Sequence, residues 1–170
     1  TYTDRRYTDD PLKYGCSEAY VDYVKASHGH IDNMRKFIYD NRTRLDSVEY
    51  VCSDDILRKK VRRLIEASAH NMYITSSSEH FVEFMDKNAT KAKALEWLCN
   101  RLSISREQTA ACGNANNDAD MIRFAGLGAA VSNATPFCKE SADIIVGTND
   151  SGGVAQLVDI LLDRTYDKYD

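Results

Sequence analysis

Residues Ala111-Cys112-Gly113-Asn114-Ala115-Asn116-Asn117-Asp118 constrain the fold of this 170-residue chain more than any other segment. A short apolar strand runs there straight into a turn of carboxamides that ends on one carboxylate. A helix is expected to begin at about Asn117, which sets its free N-terminal amides and the polar side chains at the carboxyl edge of a sheet. In open α/β folds that edge is where ligands bind, and amides presented this way suit ions and phosphates.

The sequence around this turn has a βα rhythm. Thr90 is placed to cap a helix with Leu95, Leu98, Cys99 and Leu102 on one face, and strands are predicted at Thr109 to Cys112, Gly128 to Val131 and Asp143 to Val146, with short helices between them. A last helix, Gly153 to Leu162, carries Val154, Leu157, Val158, Leu161 and Leu162 at amphipathic spacing. Strands alternating with helices imply a parallel sheet covered on both faces.

Before about residue 90 the pattern is different. Residues 1–10 read as a disordered or extended leader. Weak helical patterns follow at Ser17 to Ala26 and at Ile31 to Tyr39, the second through Ile31, Met34, Phe37 and Ile38. Val48 to Cys52 alternates like a strand. Ser53 is expected to cap the next helix, with Asp54 and Asp55 in its first turn and Leu57, Val61, Leu64 and Ile65 on its apolar face. Two more strands, His70 to Ser76 and Glu79 to Met85, are joined by the turn Ser76-Ser77-Ser78. The expected division is a leader at 1–10, an antiparallel α+β module at 11–86, an α/β unit at 87–166 and a tail at 167–170.

Composition bounds the function classes. Hydrophobic residues make up 43% and charged residues 28%, as in a globular protein. No apolar run approaches the ~18 residues that cross a bilayer, and the polar start holds no signal core, so a cytoplasmic protein with no membrane partner is expected. Five scattered cysteines without close C-x-x-C pairs fit a reducing compartment. A net charge of −4 with no basic block argues against a nucleic-acid partner. It leaves phosphorylated metabolites open, provided a local cation offsets the field. His28, His30, His70 and His80 show no spacing that joins a carboxylate cluster, and His28-Gly29-His30 offers at most a weak metal pair. The tyrosines at 2, 7, 14, 20 and 23 read as packing residues.

Lys91 with Ala94-Leu95, Gly113-Asn114-Ala115-Asn116-Asn117-Asp118, Met121, Ala125-Gly126-Leu127-Gly128, Asn133-Ala134, Ala142-Asp143, and Asn149-Asp150 before Gly152-Gly153-Val154 resemble the C-terminal half of Cof-type phosphatases of the haloacid dehalogenase superfamily. The likeness covers roughly residues 48 to 162, and its specificity comes from many motifs in the right order. It implies a partial Rossmann-like core, a parallel sheet with flanking helices, plus an α+β cap built from residues up to about 85. The resemblance also implies magnesium-dependent cleavage of small phosphate monoesters through an aspartyl-phosphate, with a small phosphorylated metabolite as substrate.

Such enzymes use a D-x-D nucleophile motif, a Ser or Thr, a Lys, and an acidic motif that helps to hold the metal. The only D-x-D here is Asp118-Ala119-Asp120, inside the later motif and at a helix start. The nucleophile and the Ser/Thr are expected upstream of Thr1. By resemblance, Lys91 neutralises phosphate charge, Asp118 orients that lysine with at most an indirect role at the metal, and Asn117 donates to phosphate oxygens. Asn114 occupies the position of a magnesium-ligating acid. A carboxamide brings no negative charge, so weakened metal affinity is expected.

Each residue also has a plainer reading. Lys91 alone is a solvated lysine at a helix start, Asn114, Asn116 and Asn117 are turn formers, and Asp118 is a helix-start carboxylate worth about 0.3–1 kcal/mol. Asn116 matches a variable family position. The strand at Thr109 to Cys112 is expected to be left with an open edge, which pairs with a second copy, pairs with a separate N-terminal piece, or drives a rearrangement of the sheet. Three functions follow: an inactive C-terminal portion of a phosphatase, a degenerate phosphate binder without turnover, or a partner-binding module that uses the open edge.

Overall fold

The computed structural model of the chain describes residues 1–77 and 80–166, and side chains as far as 163. Ser78 and Glu79, from the predicted turn and strand, and the 167–170 tail lie outside the described residues. The chain divides into two compact units, Thr1–Ile74 with Ser78–Asp86, and Thr75–Ser77 with Lys87–Asp170.

The first unit runs β1 (Tyr2–Asp4), α1 (Arg5–Asp9), α2 (Glu18–Ser27), β2 (Gly29–Ile31), α3 (Met34–Asp40), β3 (Ser47–Val51), α4 (Asp55–Ser68), β4 (Met72–Thr75) and β5 (Phe81–Asp86). The leader expected to be disordered or extended is folded. Its β1 pairs in parallel with β2, and Asp4 caps α1 by accepting from the Arg6 amide at 3.0 Å. The Tyr2 ring meets Phe37 at 5.0 Å. Ile31 therefore belongs to a strand, and α3 starts later than its periodicity predicted, where Asn33 accepts from the Lys36 amide. Asp54 rather than Ser53 caps α4, because its carboxylate reaches the Leu57 amide at 2.8 Å while Ser53 donates to that same carboxylate. Val61 and Ile65 are half-buried, whereas Leu57 and Leu64 of the predicted apolar face are exposed. His30 Nδ1 is bound to the Thr8 hydroxyl and His28 Nδ1 to the Val24 carbonyl, which commits those nitrogens locally.

Strand order β3-β5-β4 makes β5 the central strand, antiparallel to β3. That register sets Glu49 directly opposite Glu83, with their carboxyls hydrogen-bonded. Burial at the sheet face, then the like charge of Glu83, pushes the Glu49 carboxyl up to about 7. A carboxyl raised in the folded state stabilises it below about pH 4.5, and that contribution is lost as pH rises towards 7. Glu49 keeps solvent-exposed surface, so screening makes the effect small. Thermal unfolding of the first unit is expected to shift to lower temperature between pH 5 and 7.5, and Glu83→Gln is expected to flatten that dependence. An identical slope in the variant would show that the pair does not share a proton.

The second unit runs α5 (Lys91–Leu102), β6 (Ala110–Gly113), α6 (Ala119–Phe124), β7 (Leu127–Val131), α7 (Pro136–Lys139), β8 (Ile144–Val146) and α8 (Gly153–Tyr166). Its sheet is parallel with order β6-β7-β8, so the α/β fold read from the rhythm holds. Every residue of β7 is buried, as a central strand covered by helices requires. The core joins β7 to Ile122 of α6, Ala134, Cys138 of α7, Val146 and Leu157 of α8. Small residues let α6 approach the sheet closely, since a Cβ on Gly128 would lie 2.4 Å from the Ile122 carbonyl oxygen.

Two predicted helix faces need correction. In α5 the inward residue is Cys99, with Leu95 half-buried, whereas Leu98 and Leu102 are exposed. In α8 Leu157 is buried and Ile160 and Leu161 pack against the core, while Val154, Val158 and Leu162 face outward. A three-stranded sheet is narrow, so each helix finds cover for only part of a stripe whose spacing allows more. Among the described residues β6 pairs only with β7 and is an edge strand. No described helix is long and apolar enough to cross a membrane.

Candidate functional site

Because β6, β7 and β8 are parallel, the segments after Gly113, Val131 and Val146 emerge at one edge. Backbone and carboxamide bonds stitch them together there. The Thr135 amide donates to the Asn114 carbonyl at 2.9 Å, the Ser132 amide to the Gly147 carbonyl at 3.4 Å, and the Asn149 amide to Asn133 Oδ1 at 3.3 Å. The Asn133 and Asn149 side chains are also hydrogen-bonded to each other.

The first segment turns on Asp118. Residues 116–118 form one tight helical turn before α6, and this swings the Asp118 carboxylate back over Gly113. A Cβ at Gly113 would lie 2.3 Å from the Asp118 Cβ, so only glycine leaves room. Asp118 Oδ2 accepts from the Asn114 amide at 2.9 Å and the Ala115 amide at 3.1 Å, and Oδ1 is ion-paired with Lys91 Nζ. The carboxylate is 5% exposed and the lysine side chain 51%, so the anion is sunk in the edge while the ammonium reaches water. Lys91 opens α5, where Thr90 accepts from the Lys93 amide at 3.1 Å as the capping pattern predicts.

Burial alone raises the Asp118 carboxyl. The Lys91 ammonium and the two loop amides outweigh it and hold Asp118 below the usual aspartate value. A carboxyl lowered in the folded state stabilises it above its unfolded pKa of about 3.8, and that stabilisation is lost as pH falls through the folded value. Unfolding of the second unit is therefore expected to hold steady from pH 7 to 5 and to weaken below about pH 4, with that acid limb much reduced in Asp118→Asn. An unchanged limb would mean the carboxylate is not what the acid titrates.

The structure thus brings Lys91 and Asp118 together, 27 residues apart in sequence, and puts Asn114 and Asn117 on the same short loop. The Asn114 side chain is exposed and that of Asn117 half-buried, and neither carboxamide makes a hydrogen bond among the described residues. Asp118 is more than a helix-start carboxylate, because both its oxygens are engaged. Burial pushes the Cys138 thiol up to about 11 and raises Cys112 as well, so both stay protonated at neutral pH and neither is an activated nucleophile. Thr135 received no role from the sequence. Its only signal was its position before Pro136 at the start of a short helix, where it caps α7.

Comparison with known proteins gives the family. A family model described as haloacid dehalogenase-like hydrolase matches residues 4–158. The chain is 40% identical over 94 residues to the phosphatase YwpJ of Bacillus subtilis, covering 55% of this chain and 33% of that protein. It is 30% identical over 160 residues to a phosphoglycolate phosphatase of Archaeoglobus fulgidus, covering 91% and 66%. Among solved structures, a haloacid dehalogenase-like hydrolase from B. subtilis superposes with a TM-score of 0.70 at 26% identity, over 91% of this chain and 55% of that one. The chain thus spans between a third and two thirds of the length of these relatives.

Proposed function

We infer that this chain, which belongs to the haloacid dehalogenase-like hydrolase family, supplies the phosphate-steadying part of a phosphatase acting on small phosphate monoesters. The observation that supports this is the Lys91 ammonium, held at the carboxyl edge of a parallel sheet by a buried carboxylate that also grips two loop amides. In this reading Lys91 neutralises charge on the phosphate, a task suited to a compact ammonium on a long stem. Asp118 fixes that ammonium, and the Asn117 carboxamide, which has no hydrogen-bond partner among the described residues, donates to a phosphate oxygen.

The attacking group lies outside the chain. An aspartyl-phosphate route needs a carboxylate that attacks phosphorus, expels the alcohol and is then released by water, and no D-x-D here follows an apolar strand. A parallel strand added to the open edge of β6 would end beside Gly113, next to Lys91 and Asp118. A separate N-terminal piece is therefore the proposed partner, with a second copy of the chain as the competing one.

Magnesium, which the family resemblance implies, finds a poor donor set among the described residues of the loop after β6 and the start of α6. Both Asp118 oxygens are engaged, Asp120 is paired with Arg123, and Asn114 offers a neutral oxygen where a hard cation prefers a carboxylate. Asn114→Asp is expected to raise magnesium affinity on the order of tenfold by calorimetry, the gain from one added ligand charge. Equal affinity in the two forms would remove Asn114 from the metal's neighbourhood.

The reading is tested with the purified chain. It is expected to bind inorganic phosphate, to lose that binding in Lys91→Ala, and to turn nothing over. Steady phosphate release by the chain alone, abolished in Lys91→Ala, would overturn it. Turnover on adding an upstream D-x-D strand would support an enzyme portion. Ester binding without turnover after that addition would instead favour a degenerate binder, the reading that Asn114 supports.

A further inference from the structure

Asp118 grips the loop at the amides of residues 114 and 115, and the side chains of residues 116 and 117, which lie between those amides and Asp118 itself, need their own anchor. Asn117 has none among the described residues. Asn116 has one, because its Oδ1 accepts from the Thr135 hydroxyl at 2.8 Å. The same hydroxyl accepts from the Cys138 amide at 3.3 Å and so caps α7, while the Thr135 backbone amide donates to the Asn114 carbonyl at 2.9 Å.

We propose that Thr135 is a positioning residue for the phosphate site, holding Asn116 and Asn114 so that the loop presents Asn117 and the Lys91–Asp118 pair in one fixed arrangement. The inference rests on the phosphate reading of that site and goes beyond it. The chemistry selects a hydroxyl. It donates to a carboxamide oxygen and accepts from a helix amide at the same time, which a valine of equal shape cannot do. Capping alone does not require this, since a carboxylate caps as well and has no proton to give. Thr135 and Asn116 are both half-buried, which limits competition from water.

Thr135 also joins two segments that the sheet alone leaves independent. Asn114 is held through its amide by Asp118 and through its carbonyl by Thr135, so the residue after β6 is fixed from the α6 side and the α7 side at once. By sequence Asn116 matches a variable family position and is a turn former. Here it is the acceptor that carries the hydroxyl's hold into the loop.

The test compares the full chain with Thr135→Ser, Thr135→Val and Asn116→Ala in three measurements: inorganic phosphate titration, hydrogen exchange at the Asn114 and Ala115 amides, and thermal unfolding. Serine is expected to match the native chain. Valine and Asn116→Ala are each expected to weaken phosphate binding about fivefold, the effect of one hydrogen bond, and to speed exchange at both amides. In the double variant the two losses are expected not to add. Asn116→Ala keeps the α7 cap and is expected to unfold near the native temperature, which separates positioning from stability. Native affinity and native exchange in Asn116→Ala would overturn the proposal and leave Thr135 as a helix cap only. If the native chain binds no phosphate, the functional reading fails, and amide exchange in Asn116→Ala still decides whether the loop depends on Thr135.

Discussion

Replacing Asp118 with alanine is expected to cost the second unit about 2–6 kcal/mol, because the Asn114 and Ala115 amides both lose their acceptor and each poorly solvated donor left unpaired costs about 1–3 kcal/mol. Set against a typical stability of about 5–15 kcal/mol, that loss is visible as a lower unfolding midpoint in urea or heat. Asp118→Asn keeps an oxygen that can accept from the loop amides but loses the charge that holds Lys91. It is expected to retain most of the stability and to lose most of the phosphate binding. Alanine and asparagine variants that unfold alike would mean that the carboxylate's charge, and not its hydrogen bonds, holds the loop.

Gly128→Ala is expected to have an effect of similar size by a different route. The added methyl would meet the Ile122 carbonyl oxygen at 2.4 Å and Ile122 Cγ2 at 2.7 Å. A backbone carbonyl inside a helix cannot swing aside, so α6 must lift from β7, the most buried strand of the unit. Overpacking of this kind costs about 1–3 kcal/mol and more where backbone must move. Gly152→Ala is the matched control. Nothing lies within 4 Å of a Cβ there, and the cost is confined to a left-handed backbone at φ +75, about 1 kcal/mol. Equal losses at the two positions would show that the close packing of α6 is not what glycine 128 serves.

The parallel unit was legible because its signals are local. Each strand is short and apolar, each ends in glycine or a polar turn, and Thr90 announces α5. The start of the chain was not legible. β1 is three residues long, and its pairing with β2 and its contact with Phe37 come from distant residues, so no periodicity reveals them. Helix faces were overread for a related reason. Spacing says which residues share a stripe, but the width of the neighbouring sheet decides how much of it is covered, and that left Val154, Val158 and Leu162 outside. At the site, motif order named Lys91, Asp118, Asn114 and Asn117. It could not name Thr135, whose part depends on a hydroxyl reaching a loop 19 residues earlier.

Asp118 grips its loop by the main chain, at the amides of residues 114 and 115, and asks nothing of the side chains those residues carry. The scaffold is thereby decoupled from the chemistry mounted on it. Position 114 can therefore carry a charged or a neutral side chain without dismantling the turn, because neither amide contact passes through it.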